Sequence, residues 1–439
     1  MCYNLTLNIG PSNAGKTHAG IIPQMFDIIK EKRAFVAIDA KNEILPNVGN
    51  MLAENDYRIF TLNLRDTLQS HFWNPLDLPY QLFKNNEMEE CYHILDDLAS
   101  DIFLNSNDFW ESSAKDLFIG LCLLLFSEAT DVSQINMSSI YYLAVNGFRK
   151  YAGSNYIQEY LNLKNEKFSL LASTILTTLE AGEDTRKSIL STLYQSLRDF
   201  TASNTVINIL SGKGISIEDI TKEKTALFLM YEDENPQNAR MINVFLMQIY
   251  RTLISKRSQN PKKYAYYSFF LDDFLSLPKL TKIDEVILGC KGRKITISFG
   301  INNIELLKKK YGEETTAALL ANADCINIFY DIMRNYDKYF TNHDYQEALS
   351  FLCSGKMLKI ALKGIEQINV EDILSQGKKA QYHYTFQNQR TEEPIYFDFV
   401  DLVKQLKLEE YKTHMETVAK NVLRSEDSSI EGILGSYLI

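Results

Sequence analysis

No run of apolar residues in this 439-residue chain is long enough to cross a bilayer. The longest unbroken one, Phe118 to Phe126 (FIGLCLLLF), is about half of the ~20 residues that a spanning helix needs, and it reads as a buried helix. Cysteine is sparse. The six (Cys2, Cys91, Cys122, Cys290, Cys325 and Cys353) lie far apart with no paired spacing, which argues against a disulfide framework or a cysteine zinc site and points to a reducing compartment. The six histidines form no ligand pattern, and no low-complexity tract or internal repeat stands out. Met1 leads within two residues into a strand-like segment, which leaves no place for a secretory leader. The expectation is a cytoplasmic chain without a transmembrane segment. Positive charge is also in deficit: 46 Lys and Arg stand against 56 Asp and Glu, a net charge of −10. That disfavours a surface that coats nucleic acid broadly, while a local basic stripe inside a ring channel stays compatible with it.

What is present is globular material. The chain is 45% hydrophobic and 23% charged, enough for roughly two or three domains at ~150 residues each. Near its start stands GPSNAGKT, Gly10 to Thr17, with the spacing of a phosphate-binding loop. Gly10 and Gly15 free the backbone so that the N–H groups around Ser12, Asn13 and Ala14 converge on phosphates. Lys16 reaches their charge, and the Thr17 hydroxyl ligates Mg²⁺. Tyr3 to Ile9 alternates well enough for a strand, and Thr17 to Ile29 reads as a helix whose N-terminus faces the anion. ATP and Mg²⁺ are the expected ligands.

The same alternation recurs along the chain. Ala34 to Asp39 (AFVAID) and Tyr57 to Leu64 read as buried strands. From about Pro79 to about Ser203 the pattern turns helical, without a convincing strand. Strands are again expected at Thr225–Tyr231, Tyr266–Leu271, Ile295–Phe299 and Cys325–Tyr330, with helices at Asn238–Ser255 and Ile283–Gly289. The reading is an α/β P-loop domain with a doubly wound parallel sheet, split by an all-α insertion. The boundaries are 1–79 and 204–400 for the nucleotide-binding domain, 80–203 for the helical domain and 401–439 for a helical tail. A hairpin is expected from about Gln381.

A second motif, YSFFLDDFLSLPKL (Tyr267 to Leu280), is an apolar strand that delivers Asp272 at its carboxyl end. Asp272 suits a carboxylate holding Mg²⁺ through its water shell, and Asp273 suits one that orients the attacking water. The alternative is two acids that begin a loop; behind a phosphate loop the metal role is preferred.

The order GPSNAGKT, IIPQ, FVAIDAKNEI, FWNPLD, DFWESSAKDL, EDTRKSILSTL and LDDFLSLPKL resembles the coupling proteins of type IV secretion systems, conjugative RecA-like ATPases of the TraG/TraD kind. The resemblance covers roughly residues 3 to 330. It implies a homo-hexameric ATPase around single-stranded DNA, relaxase or effector substrates as cargo, and peripheral association with a secretion channel at the inner membrane. Carried over residue by residue, Lys16 and Thr17 bind phosphate and Mg²⁺, Asp272 binds the metal, and Asp39, Lys41 and Glu43 fill the family's Asp-Pro-Lys-Gly-Glu segment, here DAKNE. Asp273 stands where the family usually has Glu. Ungapped counting reaches Asn302 for its glutamine sensor and Lys291, with Arg293 two residues on, for its interface arginine.

These departures share a direction: Asp for Glu and Asn for Gln shorten the reach by about one methylene each, and Lys lacks the forked guanidinium. Two functions follow as expectations, an ATP-driven translocase or a nucleotide-binding adaptor with weak or no hydrolysis. The family's N-terminal membrane helices have no counterpart, and the early loop is read as the mark of an anchor lost or removed. Basic runs at Lys308–Lys310, Lys291–Lys294 and Lys256–Lys263 suit either a DNA channel or, more readily, solvated helix faces. Trp73, Asn74 and Pro75 suit a structural turn. Phe109 to Glu111 are expected to pack the helical domain.

Overall fold

The computed structural model describes residues 3–103, 108–151, 153–164, 170–201, 203–212, 214–232, 236–259, 264–280, 283–290, 292–331, 357–363 and 396–407. It divides into two compact units: residues 1–106 with 195–394, and residues 107–194 with 395–439.

The first unit is built on an eight-stranded sheet. Its strands are β1 (Leu5–Ile9), β2 (Ala34–Ile38), β3 (Arg58–Asn63), β6 (Thr225–Met230), β7 (Tyr267–Leu271), β8 (Ile295–Ile301), β9 (Cys325–Asp331) and β10 (Met357–Lys363), in the spatial order β10-β9-β1-β8-β7-β2-β6-β3. Each neighbouring pair is parallel. The inner strands have continuous apolar sequences (AFVAI, TALFLM, YSFFL) and are buried throughout, as a sheet covered on both faces requires. On one face the helix Ile22–Lys30 and the helix Ile44–Glu54 bury Met25, Ile29, Val48 and Leu52 against Phe35, Phe228 and Phe270. The Phe35 ring meets the other two edge-on at 5.8 Å.

A polar ladder runs through this apolar sheet. Asn8, fully buried in β1, donates to Ser298 Oγ at 3.0 Å in β8 and accepts from Asn327 Nδ2 at 2.8 Å in β9. Because each buried polar atom in the ladder has a partner, it costs little and favours one register over its neighbours.

The expected α/β fold with a parallel sheet is present, with two differences in extent. The helical character begins near residue 77, yet the helices Asp77–Lys84 and Met88–Ile102 belong to the sheet-bearing unit. Arg251, on the helix Pro236–Gln259, reaches Asp101 at 2.7 and 3.1 Å, and both ends of that ion pair are largely buried. The strand β10 was not expected, and the predicted hairpin after Gln381 lies outside the described residues.

Among its described residues the second unit is helical apart from a two-strand hairpin, β4 (Lys150–Tyr151) with β5 (Ser154–Asn155), an exception to the strand-free reading. Its long helix Phe109–Glu128 starts at Asp108, whose carboxylate accepts from the Trp110 N–H at 2.8 Å, and its stretch from Leu117 to Phe126 is buried on every side. Among the described residues no helix is long and apolar enough to cross a membrane. Phe109 and Trp110 do not pack inward as expected: they stand exposed, edge to face at 5.0 Å. Residues 396–407 lie with this unit, where Lys407 meets Glu159 at 2.8 Å. The rest of the expected tail lies outside the described residues.

Candidate nucleotide site

The parallel sheet sends the carboxyl ends of its strands to one edge, and the expected site residues leave from four of them. After β1, the chain turns through Gly10 to Thr17. Asn13 has φ 63° and Gly15 φ 94°, so the loop alternates left-handed with ordinary conformations as an anion cradle must. At Gly10 an added Cβ would lie 2.6 Å from the Phe329 carbonyl oxygen of β9, which is why no side chain fits there. The first turn beyond the loop, Lys16–Ile21, is a π-turn before the regular helix Ile22–Lys30, a local widening common at functional sites. Ser12 and Asn13 are exposed and Ala14 is buried.

Lys16 is buried, and its ammonium donates to the Gly10 and Pro11 carbonyls at 2.8 and 3.0 Å. Burial pulls its pKa down, opposed by the charges of Asp273 and Asp272. The carbonyls thus hold the charge near the cradle until a better acceptor arrives.

One strand over from β1 is β8, and beyond it β7, which ends at Asp272. The Thr17 hydroxyl donates to Asp272 Oδ2 at 2.6 Å, so the loop and the acid, 255 positions apart in sequence, share one hydrogen bond. Burial raises the Asp272 carboxyl to about 6; the Thr17 bond opposes the shift and the Asp273 charge adds to it. This close approach requires Gly300 in β8, where a Cβ would sit 2.4 Å from Asp272 Oδ1. Sequence reading missed Gly300, which lies inside an apolar strand and belongs to no motif.

Asp273 is left-handed (φ 45°, ψ 39°), and its N–H donates to Asp272 Oδ1 at 3.0 Å. Its carboxylate is paired with Lys41 Nζ at 2.7 Å. That hydrogen bond is the main cause of the raised Lys41 pKa. The following loop is pinned from two sides. Ser276 Oγ donates to the Asp273 carbonyl at 2.8 Å and lies 2.7 Å from the Tyr231 hydroxyl, just past β6. Lys310 donates to the carbonyls of Leu275, at 2.9 Å, and Leu277.

Lys41 is held in place by its own segment. Asp39, buried at the end of β2, accepts from the N–H groups of Glu43, Ile44 and Leu45 at 2.7, 3.0 and 2.9 Å and so caps the helix Ile44–Glu54. Such a cap is worth about 0.5–2 kcal/mol. Burial raises the Asp39 pKa, against those three backbone bonds. The carboxylate of Asp39 is thereby turned to the backbone, and Glu43 is exposed.

Asn302 directly follows β8. Its neighbour Ile301 accepts from the Gly10 N–H at 3.0 Å, which sets Asn302 beside the loop, and its Oδ1 is buried with no hydrogen-bond partner among the described residues. A buried amide oxygen left unmatched costs about 1–3 kcal/mol. Arg293 donates to the Gly289 carbonyl at 2.8 Å, at the end of the helix Ile283–Gly289. Lys291 lies outside the described residues.

Within the basic runs, Lys308 pairs with Glu305 at 3.2 Å, Arg257 is buried and donates to the Arg293 and Lys294 carbonyls, and Lys256 and Lys309 are exposed. Trp73 is buried, stacks on Phe245 at 4.3 Å and donates to Gln248 Oε1, whose amide in turn donates to the Pro75 carbonyl. The FWNPLD segment is a structural brace.

Residues 3–342 match the family model described as type IV secretory system conjugative DNA transfer. The chain belongs to this family. It is 23% identical over 323 residues to the protein VirD4 of Rhizobium rhizogenes and 22% identical to VirD4 of Agrobacterium fabrum, in each case over 72% of this chain and 46% of the relative. The chain thus spans about half the length of the curated relatives it matches. Among solved structures, the unbound bacterial conjugative coupling protein TrwBdeltaN70 superposes with a TM-score of 0.54 at 14% identity, over 80% of this chain and 72% of that one. The plasmid coupling protein TrwB in complex with ADP and Mg²⁺ gives 0.54 at 14% identity, over 74% and 69%. At that identity the likeness is one of fold.

Proposed function

We propose that this chain is an ATP-hydrolysing coupling protein of a type IV secretion system. It recruits a relaxase–DNA complex, or a protein substrate, and drives it into the channel at the inner membrane. The observation that carries the reading is the 2.6 Å bond between Thr17 and Asp272, which joins the two motifs that a Mg-nucleotide site needs. The hard oxygen donors of Thr17 and Asp272 suit Mg²⁺, and the orphaned Asn302 Oδ1 beside the loop is a group awaiting a polar ligand.

In this reading the amides of Gly10 to Lys16 and the Lys16 ammonium hold the phosphates. Thr17 and Asp272 hold Mg²⁺, which when bound neutralises charge on the phosphate oxygens. Asp273 orients the attacking water and accepts its proton, and Asn302 reads the γ-phosphate end. Lys291 or Arg293 acts across a subunit interface in a hexameric ring around single-stranded DNA, held by backbone charge. The helical domain, residues 80–203 as read from the sequence, recognises cargo, and the assembly associates peripherally with the membrane.

The second reading, a nucleotide-binding adaptor with weak turnover, is favoured by one observation: Asp273, the acid that this reading assigns to the attacking water, is engaged by Lys41 at 2.7 Å. Phosphate release by the purified protein with and without single-stranded DNA separates the two. Stimulation of several-fold supports the motor. Tight Mg-ATP binding with no release in either condition supports the adaptor, and absence of nucleotide binding ends both.

A further inference from the structure

The Lys41–Asp273 pair has features that a simple surface salt bridge lacks. The Lys41 side chain is 45% exposed and the Asp273 side chain 22%, so the pair sits at the lip of the site, between a buried acid and solvent. Both partners come from rigid supports. Lys41 follows β2 on a turn closed by the Asn42 N–H to the Asp39 carbonyl at 3.1 Å, with Asn42 itself at φ 54°. Asp273 follows β7, the direct neighbour of β2, and its left-handed backbone is held by Asp272 on one side and by Ser276 on the other. A non-glycine residue in that conformation costs about 1 kcal/mol or more. In that conformation the carboxylate meets Lys41.

We infer that Lys41 is a positioning residue that holds the Asp273 carboxylate out of its water-orienting place, so that ATP can be bound without being turned over. The inference rests on the ATPase reading above. A carboxylate whose Oδ2 accepts from an ammonium at 2.7 Å is held at that ammonium and has one oxygen fewer to offer a water. Turnover then needs the pair to part, and a partly exposed pair is weak enough to part readily. The direction distinguishes this role from a phosphate contact: removing a phosphate-binding lysine slows turnover and weakens nucleotide binding, whereas removing a restraint on the water-orienting acid speeds turnover and leaves binding alone.

The test compares the full chain with Lys41→Ala, Lys41→Arg and Asp273→Ala. DNA-free phosphate release should rise about two- to fivefold in Lys41→Ala, the range an exposed or half-exposed ion pair supplies. The rise should be in kcat with KM unchanged, and the relative stimulation by single-stranded DNA should shrink. Lys41→Arg should retain the low parental rate. A readout without nucleotide accompanies it: thermal unfolding of Lys41→Ala, Asp273→Ala and the double variant should be non-additive, the second change costing less once the first is made. If Lys41→Ala is no faster than the parent, or weakens Mg-ATP binding in calorimetry, or if the cycle is additive, the restraint is refuted. Loss of binding or turnover in the parent itself would instead refute the ATPase reading.

Discussion

The two halves of the nucleotide site are built differently. In the binding half, Lys16, Thr17 and Asp272 are drawn into the protein and matched to partners: two loop carbonyls for the lysine, one carboxylate oxygen for the threonine. In the turnover half, Asp273 faces a half-exposed lysine, Asn302 carries an unmatched buried oxygen, and Arg293 is folded onto its own helix end. The first half holds its groups close to the loop, and the Lys16 ammonium has two carbonyls to exchange for phosphate. The second is assembled for a state in which at least one contact must change. Under the proposed function, a site of this kind separates holding ATP from consuming it.

The largest expected effect breaks the binding half. Lys16→Ala removes the charge from the cradle and should weaken Mg-ATP binding by at least about a hundredfold, since it takes away charge-assisted hydrogen bonds to phosphate. Calorimetry reads it, and equal affinity in the variant would show that the loop does not bind phosphate. Next comes Gly300→Ala. Its Cβ would lie 2.4 Å from Asp272 Oδ1 and 3.2 Å from the backbone at Asp272 and Asp273, so the acid must move in an interior that compresses poorly. Affinity with Mg²⁺ should fall about tenfold, the scale of a misplaced ligand, while affinity in EDTA stays near the parental value. An equal loss in both conditions would mean a general distortion of the sheet.

The turnover half answers to lengthening rather than removal. Asp273→Glu together with Asn302→Gln restores one methylene to each reach, and DNA-stimulated release should rise about tenfold, a modest part of what one well-placed group contributes. Unchanged ATP affinity is part of the expectation, because neither residue belongs to the cradle. A double variant no faster than the parent would show that these two side chains already reach their places.

Much of this contrast was legible in the sequence because local geometry dictates it. The loop needs Gly at fixed positions, and a buried parallel strand ending in an acid behind such a loop suits a metal, so the sequence alone singles out Lys16, Thr17 and Asp272. The strands at 34–38 and 267–271 came through for the same reason, as apolar runs between helical segments. What depends on distant chain segments did not come through. Gly300 matters only because Asp272 arrives beside it. Asp39 reads as a site acid, yet its carboxylate caps the next helix, and nothing in DAKNE tells a cap from a ligand. The helices 77–84 and 88–102 look like the insertion by pattern, and tertiary contacts such as the Arg251–Asp101 and Arg251–Asp97 pairs and the Ser255–Glu90 hydrogen bond assign the second of them to the sheet-bearing unit. Phe109 and Trp110 were expected inside on hydrophobicity alone, which says nothing of which helix face is covered.

The smallest expected effect probes the loop that carries Asp273. Burial lowers the Lys310 pKa to about 8, against a free lysine at about 10.4, although its ammonium donates to the Leu275 and Leu277 carbonyls. Below pH 8 Lys310 is charged in both folded and unfolded chains, and the folded state bears the full cost of burying it. Between about pH 8 and 10.4 the unfolded chain binds more protons, so stability from this group rises with pH, and above that window it levels off. Neighbouring groups do not reverse the sign: Lys308 is paired with the exposed Glu305 at 3.2 Å, and burial pushes the Tyr311 phenol up out of the window. Discounted for the solvent Lys310 still meets, the gain is about 1 kcal/mol, or about 2 °C in Tm for a chain of this size. Lys310→Met should lower the melting temperature at pH 7.5 if the two carbonyl bonds outweigh the buried charge, and raise it in the opposite case. Either way, its change in Tm between pH 7.5 and 9.5 should be about 2 °C less positive than the parent's. Parallel curves would place the Lys310 charge in solvent and leave the loop after Asp273 anchored by Ser276 and Tyr231 alone.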